Sequence, residues 1–172
     1  MISQTSVNTN NGFTLIEVIL YVAIVTIVIT ALVQFAIVIV NNNTKSATQQ
    51  EVYNNARFIS EKIKYEIRNA SGINSLSTSQ IILATTDVNT NPTTVSLSGN
   101  NIFIKRAGFA PINLNSTYTT ISNLSFINYS SSDLKTKNIQ YTFTISAAFG
   151  NQARQEYQES LSIQSSAELR SN

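Results

Sequence analysis

Glu17 is the only charged residue between positions 13 and 40, where 23 of 28 residues are apolar. A charge at the centre of a membrane-spanning helix costs roughly 2.5–3.5 kcal/mol, and less near the helix end. Two interpretations stay open. Glu17 lies at a membrane surface near a helix N-terminus, where acids are favoured, or a cation neutralises it. The second interpretation implies ion pairing in apolar surroundings.

The sequence has few residues that could form catalytic or metal-binding sites. The chain has no Cys and no His, which excludes Cys nucleophiles, disulfides, His general bases and the usual zinc sites. There is no phosphate-binding loop and no nucleophile elbow. Asp87-Val-Asn89-Thr-Asn91 resembles the start of a calcium loop, but Pro92 and Ser98 stand where an EF-hand needs Gly and Glu, which favours a polar turn. We predict no enzyme, no catalytic residue, no cofactor and no metal site.

The basic residues are scattered and the net charge is only +2. The candidate DNA contacts are Lys62, Lys64, Arg68, Lys105, Arg106, Lys135 and Lys137. Acids at Glu61, Glu66 and Asp133 interrupt them, and no interleaving of aromatic and basic residues marks a stacking platform. A solvated surface is the favoured interpretation, and nucleic acid stays a possible partner without support.

The element that must hold Glu17 is the apolar segment 13–40. As a helix its 28 residues extend about 42 Å, which exceeds the roughly 30 Å hydrocarbon core of a bilayer. In lipid a single segment must be helical to satisfy its backbone. A secretory signal peptide has a basic start and an apolar region of about 7–15 residues. Because residues 1–12 lack Lys and Arg and the apolar run is longer, we expect a membrane-spanning helix.

A specific resemblance lies at the start of this segment. The stretch Gly12-Phe13-Thr14-Leu15-Ile16-Glu17-Val18, followed by the apolar run, resembles the type III signal of prepilins and pseudopilins. In that family a prepilin peptidase cuts after the Gly and methylates the new N-terminal amine. The resemblance implies a leader of residues 1–12, cleavage between Gly12 and Phe13, and N-methylation of Phe13. It also implies that Glu17 pairs with the Phe13 amine of a neighbouring subunit and fixes the register of assembly.

The sequence departs from the family pattern at two places. Its leader lacks the usual Lys or Arg, so the positive-inside rule gives little help with orientation. Gln34 stands where many pilins have Pro, which leaves the helix behaviour there open.

A second helical pattern follows Asn41-Asn42-Asn43, where a bend is left open because Asn is a poor helix former. Its apolar residues recur at spacings of three and four: Val52, Ala56, Ile59, Ile63, Ile67 and Ala70. The pattern predicts a helix to about Ala70, continuous with the apolar segment, stopped by Gly72 and packed on a sheet.

Strand signals follow Gly72. The predicted strands lie within residues 80–84, 95–97, 102–104, 121–129, 139–145 and 157–163. Ser98-Gly99-Asn100-Asn101 predicts a hairpin turn, and residues 165–172 a tail. We therefore predict an α+β fold, a long N-terminal helix packed on a small antiparallel β-sheet. Its parts are a leader (1–12), a transmembrane or filament-core helix (13–40), an amphipathic continuation (41–72) and a globular sheet domain (73–172).

The functional prediction is a structural subunit of a type IV pilus-like filament. Residues 56–70 are similar to minor pilins and to the J-type pseudopilin of type II secretion, so a minor pilin or pseudopilin is favoured. The resemblance implies homologous subunits, prepilin peptidase, an assembly ATPase and a platform protein as partners. It also implies a single-pass cytoplasmic membrane protein, with its N-terminus in the cytoplasm and its globular domain outside, which enters a cell-surface or periplasmic filament. The alternative is a membrane-anchored binding module, such as an adhesin or a DNA-uptake receptor.

Overall fold

The computed structural model describes residues 12–131 and 136–170. Its elements are α1 (Leu15–Asn69), β1 (Gly72–Ser77), β2 (Gln80–Ala84), β3 (Thr93–Ser98), β4 (Asn101–Arg106), β5 (Ile112–Asn113), β6 (Thr119–Asn128), β7 (Asn138–Ala147), a 3-10 helix (Gln155–Tyr157) and β8 (Ser160–Glu168). The chain divides into two units, one ending at Asn41 and one beginning at Asn42. Residues 1–11 of the predicted leader (1–12), together with Asp133 and Lys135, lie outside the described residues.

The first unit consists of the N-terminal part of α1. Thr14 lies at its start, and its carbonyl accepts from the amides of Glu17 and Val18 at 3.1 and 3.2 Å. The hydroxyls of Thr26 and Thr30 donate to carbonyls four residues earlier, at 2.7 and 2.8 Å. These bonds satisfy the threonine hydroxyls within the helix, so neither needs water. The chain is helical at Gln34 and through Asn41, as expected for a segment without Pro or Gly.

The second unit is built around the C-terminal part of α1. All six residues of the predicted apolar stripe are buried, with relative exposures of 0–1%. Tyr141 of β7 donates its hydroxyl proton to the carbonyl of Ser60 at 2.9 Å, and Arg106 of β4 pairs with Glu66 at 2.5 Å. The helix therefore packs on strands from both sheets, and the predicted helix, continuous to about Ala70, is confirmed.

The strands form two antiparallel sheets, where the prediction had a single small one. The five-stranded sheet has the order β1-β2-β3-β4-β5, and the three-stranded sheet the order β6-β7-β8. In the predicted hairpin, Ser98 of β3 pairs with Asn101 of β4. Gly99 of its turn has φ +59°, a left-handed conformation that glycine adopts readily. The α+β class is confirmed.

Two boundary predictions near the C-terminus are wrong. Tyr157 belongs to the 3-10 helix and not to a strand, and β8 begins only at Ser160. The predicted tail is in fact a strand as far as Glu168, and Ala167 and Leu169 are buried. The side chains of Ala167 and Leu169 pack in the core, and their burial stabilises this end of the chain in the fold. β1 and the two-residue β5 were not predicted, and Gly72 begins β1.

Candidate functional site

Glu17 and Tyr21 are four residues apart on one face at the start of α1, and Phe13 precedes the helix. The Tyr21 hydroxyl lies 3.5 Å from Oε1 of Glu17, at the outer limit for a hydrogen bond. The rings of Phe13 and Tyr21 meet edge to face, with centroids 6.3 Å apart. Between residues 12 and 40 every side chain except Glu17 is exposed. Its neighbours on the helix therefore screen the carboxylate partly.

The bond between Gly12 and Phe13 precedes the helix. Both residues are exposed, Phe13 at 74%, and neither belongs to a helix or strand. A Cβ built on Gly12 would have nothing within 4 Å. This peptide bond is therefore sterically open on the described side.

Glu17 has no basic side chain near it along the chain. The first Lys or Arg in the sequence is Lys45, 28 residues later, and residues 1–16 contain none. Glu17 itself lies in the first turn of α1, where the helix dipole favours a negative charge. That effect is worth only about 0.3–1 kcal/mol at an exposed site and does not replace a cation in apolar surroundings. No side chain of the first unit therefore supplies a cation for Glu17.

The apolar surface of the first unit is uncovered. Large hydrophobic side chains are exposed on all sides of the helix, including Leu15 at 81% and Ile27 at 70%. By length and composition α1 contains a segment apolar enough to cross a membrane, and none of that segment is buried within the chain. A helix that is hydrophobic all round requires a cover of lipid or of other helices.

The other candidate sites have simpler explanations. Oδ1 of Asp87 accepts from the amide of Asn89 at 2.9 Å, and its carbonyl accepts from the amide of Thr90 at 3.1 Å, so the loop is a polar turn. Among the described residues no group of three or more acidic side chains could hold a metal ion.

The candidate DNA-contacting residues are partly paired with acids. Lys64 bonds Glu61 at 3.1 Å and Arg106 bonds Glu66 at 2.5 Å. These pairs agree with the interpretation of a solvated surface. Lys135 and the interrupting Asp133 lie outside the described residues.

The sequence prediction of the site named Gly12, Phe13 and Glu17 and missed Tyr21. Tyr21 was counted among the apolar residues of the segment, although its hydroxyl is a hydrogen-bond donor. The signal that could have identified it is the spacing of four from Glu17, which brings side chains together on a helix.

A comparison with protein families gives one match. Residues 7–33 match the model described as the prokaryotic N-terminal methylation motif. The matched segment contains Gly12, Phe13, Glu17 and Tyr21, and it includes residues 13–33 of the apolar run 13–40. No curated protein and no solved structure matches the chain.

Proposed function

We propose that this chain, which is type IV pilin-like by its N-terminal methylation motif, is a structural subunit of a type IV pilus-like filament. The observation that carries the proposal is that the motif opens an apolar helix whose only acid has no basic side chain near it in sequence. Proteins with this motif are typically structural. Within the family we favour a minor pilin or a pseudopilin, since residues 56–70 are similar to those subunits.

Processing is the first step of the proposed mechanism. Prepilin peptidase hydrolyses the bond between Gly12 and Phe13 and so releases residues 1–12 and a new amine on Phe13. Methylation of that amine keeps its positive charge, because an alkylated amine remains a base. The exposure of both residues, ahead of the first helical residue, supports this step. Cleavage therefore places a cationic amine four residues before Glu17, in a unit that has no Lys or Arg.

The new amine is proposed to pair with Glu17 of a neighbouring subunit. A charge removed from water without a partner costs several kcal/mol, whereas a well-paired one is tolerated. Subunits whose helices slide out of register would leave both Glu17 and the amine unpaired. The pair therefore selects one axial register, and the surrounding apolar side chains supply most of the contact area.

The cover of the apolar helix is proposed to change during assembly. The helix and the motif are consistent with a membrane-anchored pilin that carries an external globular domain. We propose that the N-terminus faces the cytoplasm and that lipid covers residues 13–40 before assembly. In the filament the same side chains contact helices of other subunits.

The partners follow from this mechanism. The motif implies prepilin peptidase and other pilin subunits. An assembly ATPase and a platform protein are proposed because removing an apolar helix from lipid requires work. The alternative of an anchored adhesin or DNA-uptake receptor has no observation in its favour.

Replacement of Glu17 by Ala tests the proposal in cells that contain the complete assembly system. We expect normal cleavage after Gly12 and at least a tenfold smaller fraction of subunit in filaments, equivalent to about 1.4 kcal/mol or more. Glu61→Ala is the matched control, since Glu61 is exposed on the same helix and bonds only Lys64 in the described part of the chain. A Glu17→Ala chain that assembles as the wild type does would refute the register role.

A further inference from the structure

We infer that Tyr21 is a positioning residue for Glu17: its hydroxyl holds one carboxylate oxygen and leaves the other for the amine of the neighbouring subunit. This inference rests on the proposed filament function. It adds Tyr21 to the pairing site, a role that neither the motif nor the apolar pattern assigns to this residue.

The geometry of the N-terminal unit supports this role. The Tyr21 hydroxyl faces Oε1 of Glu17 at 3.5 Å, and the Tyr21 ring packs edge to face on Phe13. Between residues 12 and 40, Glu17 is the one side chain that is partly buried. Tyr21 therefore covers one side of the carboxylate, and Oε2 stays available to an approaching cation.

Other polar groups of the unit are engaged elsewhere. Thr14 Oγ1 accepts from the amide of Glu17 at 3.4 Å, so it serves the helix start and not the carboxylate. The hydroxyls of Thr26 and Thr30 donate to backbone carbonyls. Gln34 is seventeen residues from Glu17, nearly five helical turns away. Within residues 12–41, Tyr21 is the side-chain donor that reaches Glu17.

An ion pair in apolar surroundings needs more than its two charges. The pair is tolerated only when additional hydrogen bonds satisfy the remaining lone pairs of the carboxylate. A carboxylate can accept up to about four hydrogen bonds, and an amine at one oxygen leaves the other without a partner. A tyrosine hydroxyl at that second oxygen is neutral, so it completes the site without adding a competing charge. In water a bond of 3.5 Å contributes little, but low polarity strengthens it.

The ring of Tyr21 gives the hydroxyl a fixed direction. Edge-to-face packing on Phe13 limits the rotation of both rings, and such pairs contribute roughly 0.5–1.5 kcal/mol beyond area burial. Phe13 is the residue that carries the proposed amine. The same contact thus orients the first residue of the mature chain and the donor to Glu17.

Tyr21→Phe in the full chain separates the hydroxyl from the ring. In cells with the assembly system we expect normal cleavage and methylation, and a threefold to tenfold smaller fraction of subunit in filaments. Tyr53→Phe is the matched control, because Tyr53 is an exposed tyrosine of the same helix outside the apolar segment. Wild-type assembly of Tyr21→Phe would overturn the inference. So would a defect in cleavage, since it would assign Tyr21 to recognition by the peptidase.

A second measurement tests the Tyr21–Glu17 contact without assembly. The full chain is incorporated into vesicles of phosphatidylethanolamine and phosphatidylglycerol and treated with a membrane-permeant carbodiimide, and modification of Glu17 is followed by mass spectrometry. Tyr21→Phe should change the rate of modification at least threefold, and Tyr53→Phe should leave it unchanged. An unchanged rate in Tyr21→Phe would overturn the inference.

The two failures are distinguishable. If Glu17→Ala assembles normally, the register function is wrong, whatever the carbodiimide result. If Glu17→Ala fails to assemble while Tyr21→Phe behaves as wild type in both measurements, the filament function stands and the role of Tyr21 is wrong.

Discussion

The two halves of α1 have the same backbone conformation and opposite relations to the rest of the chain. Residues 15–40 are exposed on every side, apart from the partly screened Glu17. In the second half a stripe of small and β-branched side chains is fully buried by the two sheets, from Val52 to Ala70. The second half therefore obtains its stability from its own domain, and the first half must obtain it from lipid or other subunits.

The difference follows from the pattern of residues and not from propensity. Val and Ile are frequent in the first half and are mediocre helix formers in water, so the sequence suits a helix only in apolar surroundings. The second half has charged residues on its outer face, among them Arg57, Glu61 and Lys62. One stripe of apolar residues is enough for packing on a sheet. A single helix can therefore serve two environments when the pattern of its apolar residues changes along its length.

The largest expected effect comes from matched isoleucine truncations in the two halves. Ile63→Ala removes a side chain with 0% exposure and should lower the free energy of unfolding by about 2–5 kcal/mol. Ile27→Ala removes one that is 70% exposed and should change it by less than about 0.5 kcal/mol. Denaturant unfolding of the detergent-solubilised chain, followed by a signal from the sheets, measures both. Equal effects of the two substitutions would contradict the division of the helix.

A smaller effect is expected from the ion pairs of the second half. Glu66 has a side-chain exposure of 7% and Arg106 one of 33%. Breaking a fully buried pair costs about 3–5 kcal/mol, so with Arg106 partly exposed we expect Arg106→Ala to destabilise the domain by about 2 kcal/mol. The matched control is Lys64→Ala, which removes the pair with Glu61; because the Glu61 side chain is 62% exposed, the loss should cost about 0.5 kcal/mol or less. A cost for Lys64→Ala as large as that for Arg106→Ala would refute this ranking.

The smallest effect is expected from deletion of the whole first unit. Residues 42–172 contain all the buried core residues, so they should fold without the apolar segment. We expect the free energy of unfolding to change by less than about 1 kcal/mol, as measured by denaturant titration. A fragment that fails to fold would mean that the apolar half supports the domain after all.

Periodicity made much of the second unit predictable. All six residues of the apolar stripe are buried, and the hairpin between β3 and β4 forms at the predicted turn, because both features depend on local spacing. The division into two sheets depends on which distant strands pair, and spacing within a strand carries no such information. β5 has only two residues, Ile112 and Asn113, too few for any pattern.

The errors near the C-terminus have a physical cause. Tyr157 continues an apolar pattern, but its ring instead meets the Phe149 ring edge to face, with centroids 6.0 Å apart. A Cβ on Gly150 would overlap the Tyr157 ring, so that contact requires glycine. The C-terminal part of β8 has small inward residues, among them Ala167, and reads as a polar tail. Its pairing with β7 makes it a strand.

The candidate site likewise has residues that the sequence predicted and one residue that it did not. Gly12, Phe13 and Glu17 were found because a contiguous motif carries them, and their proposed roles in processing, methylation and register stay predictions. Tyr21 was missed because composition counts it as apolar, although geometry sets its hydroxyl beside the carboxylate.

The most direct test of the central claim is the mass of the N-terminal peptide of the full chain, extracted from membranes of a host with prepilin peptidase. We predict an N-terminal peptide that begins with N-methylated Phe13, so that the cut lies after Gly12. A chain that still begins at Met1 in that host would contradict this prediction, because no amine would then have been formed at Phe13.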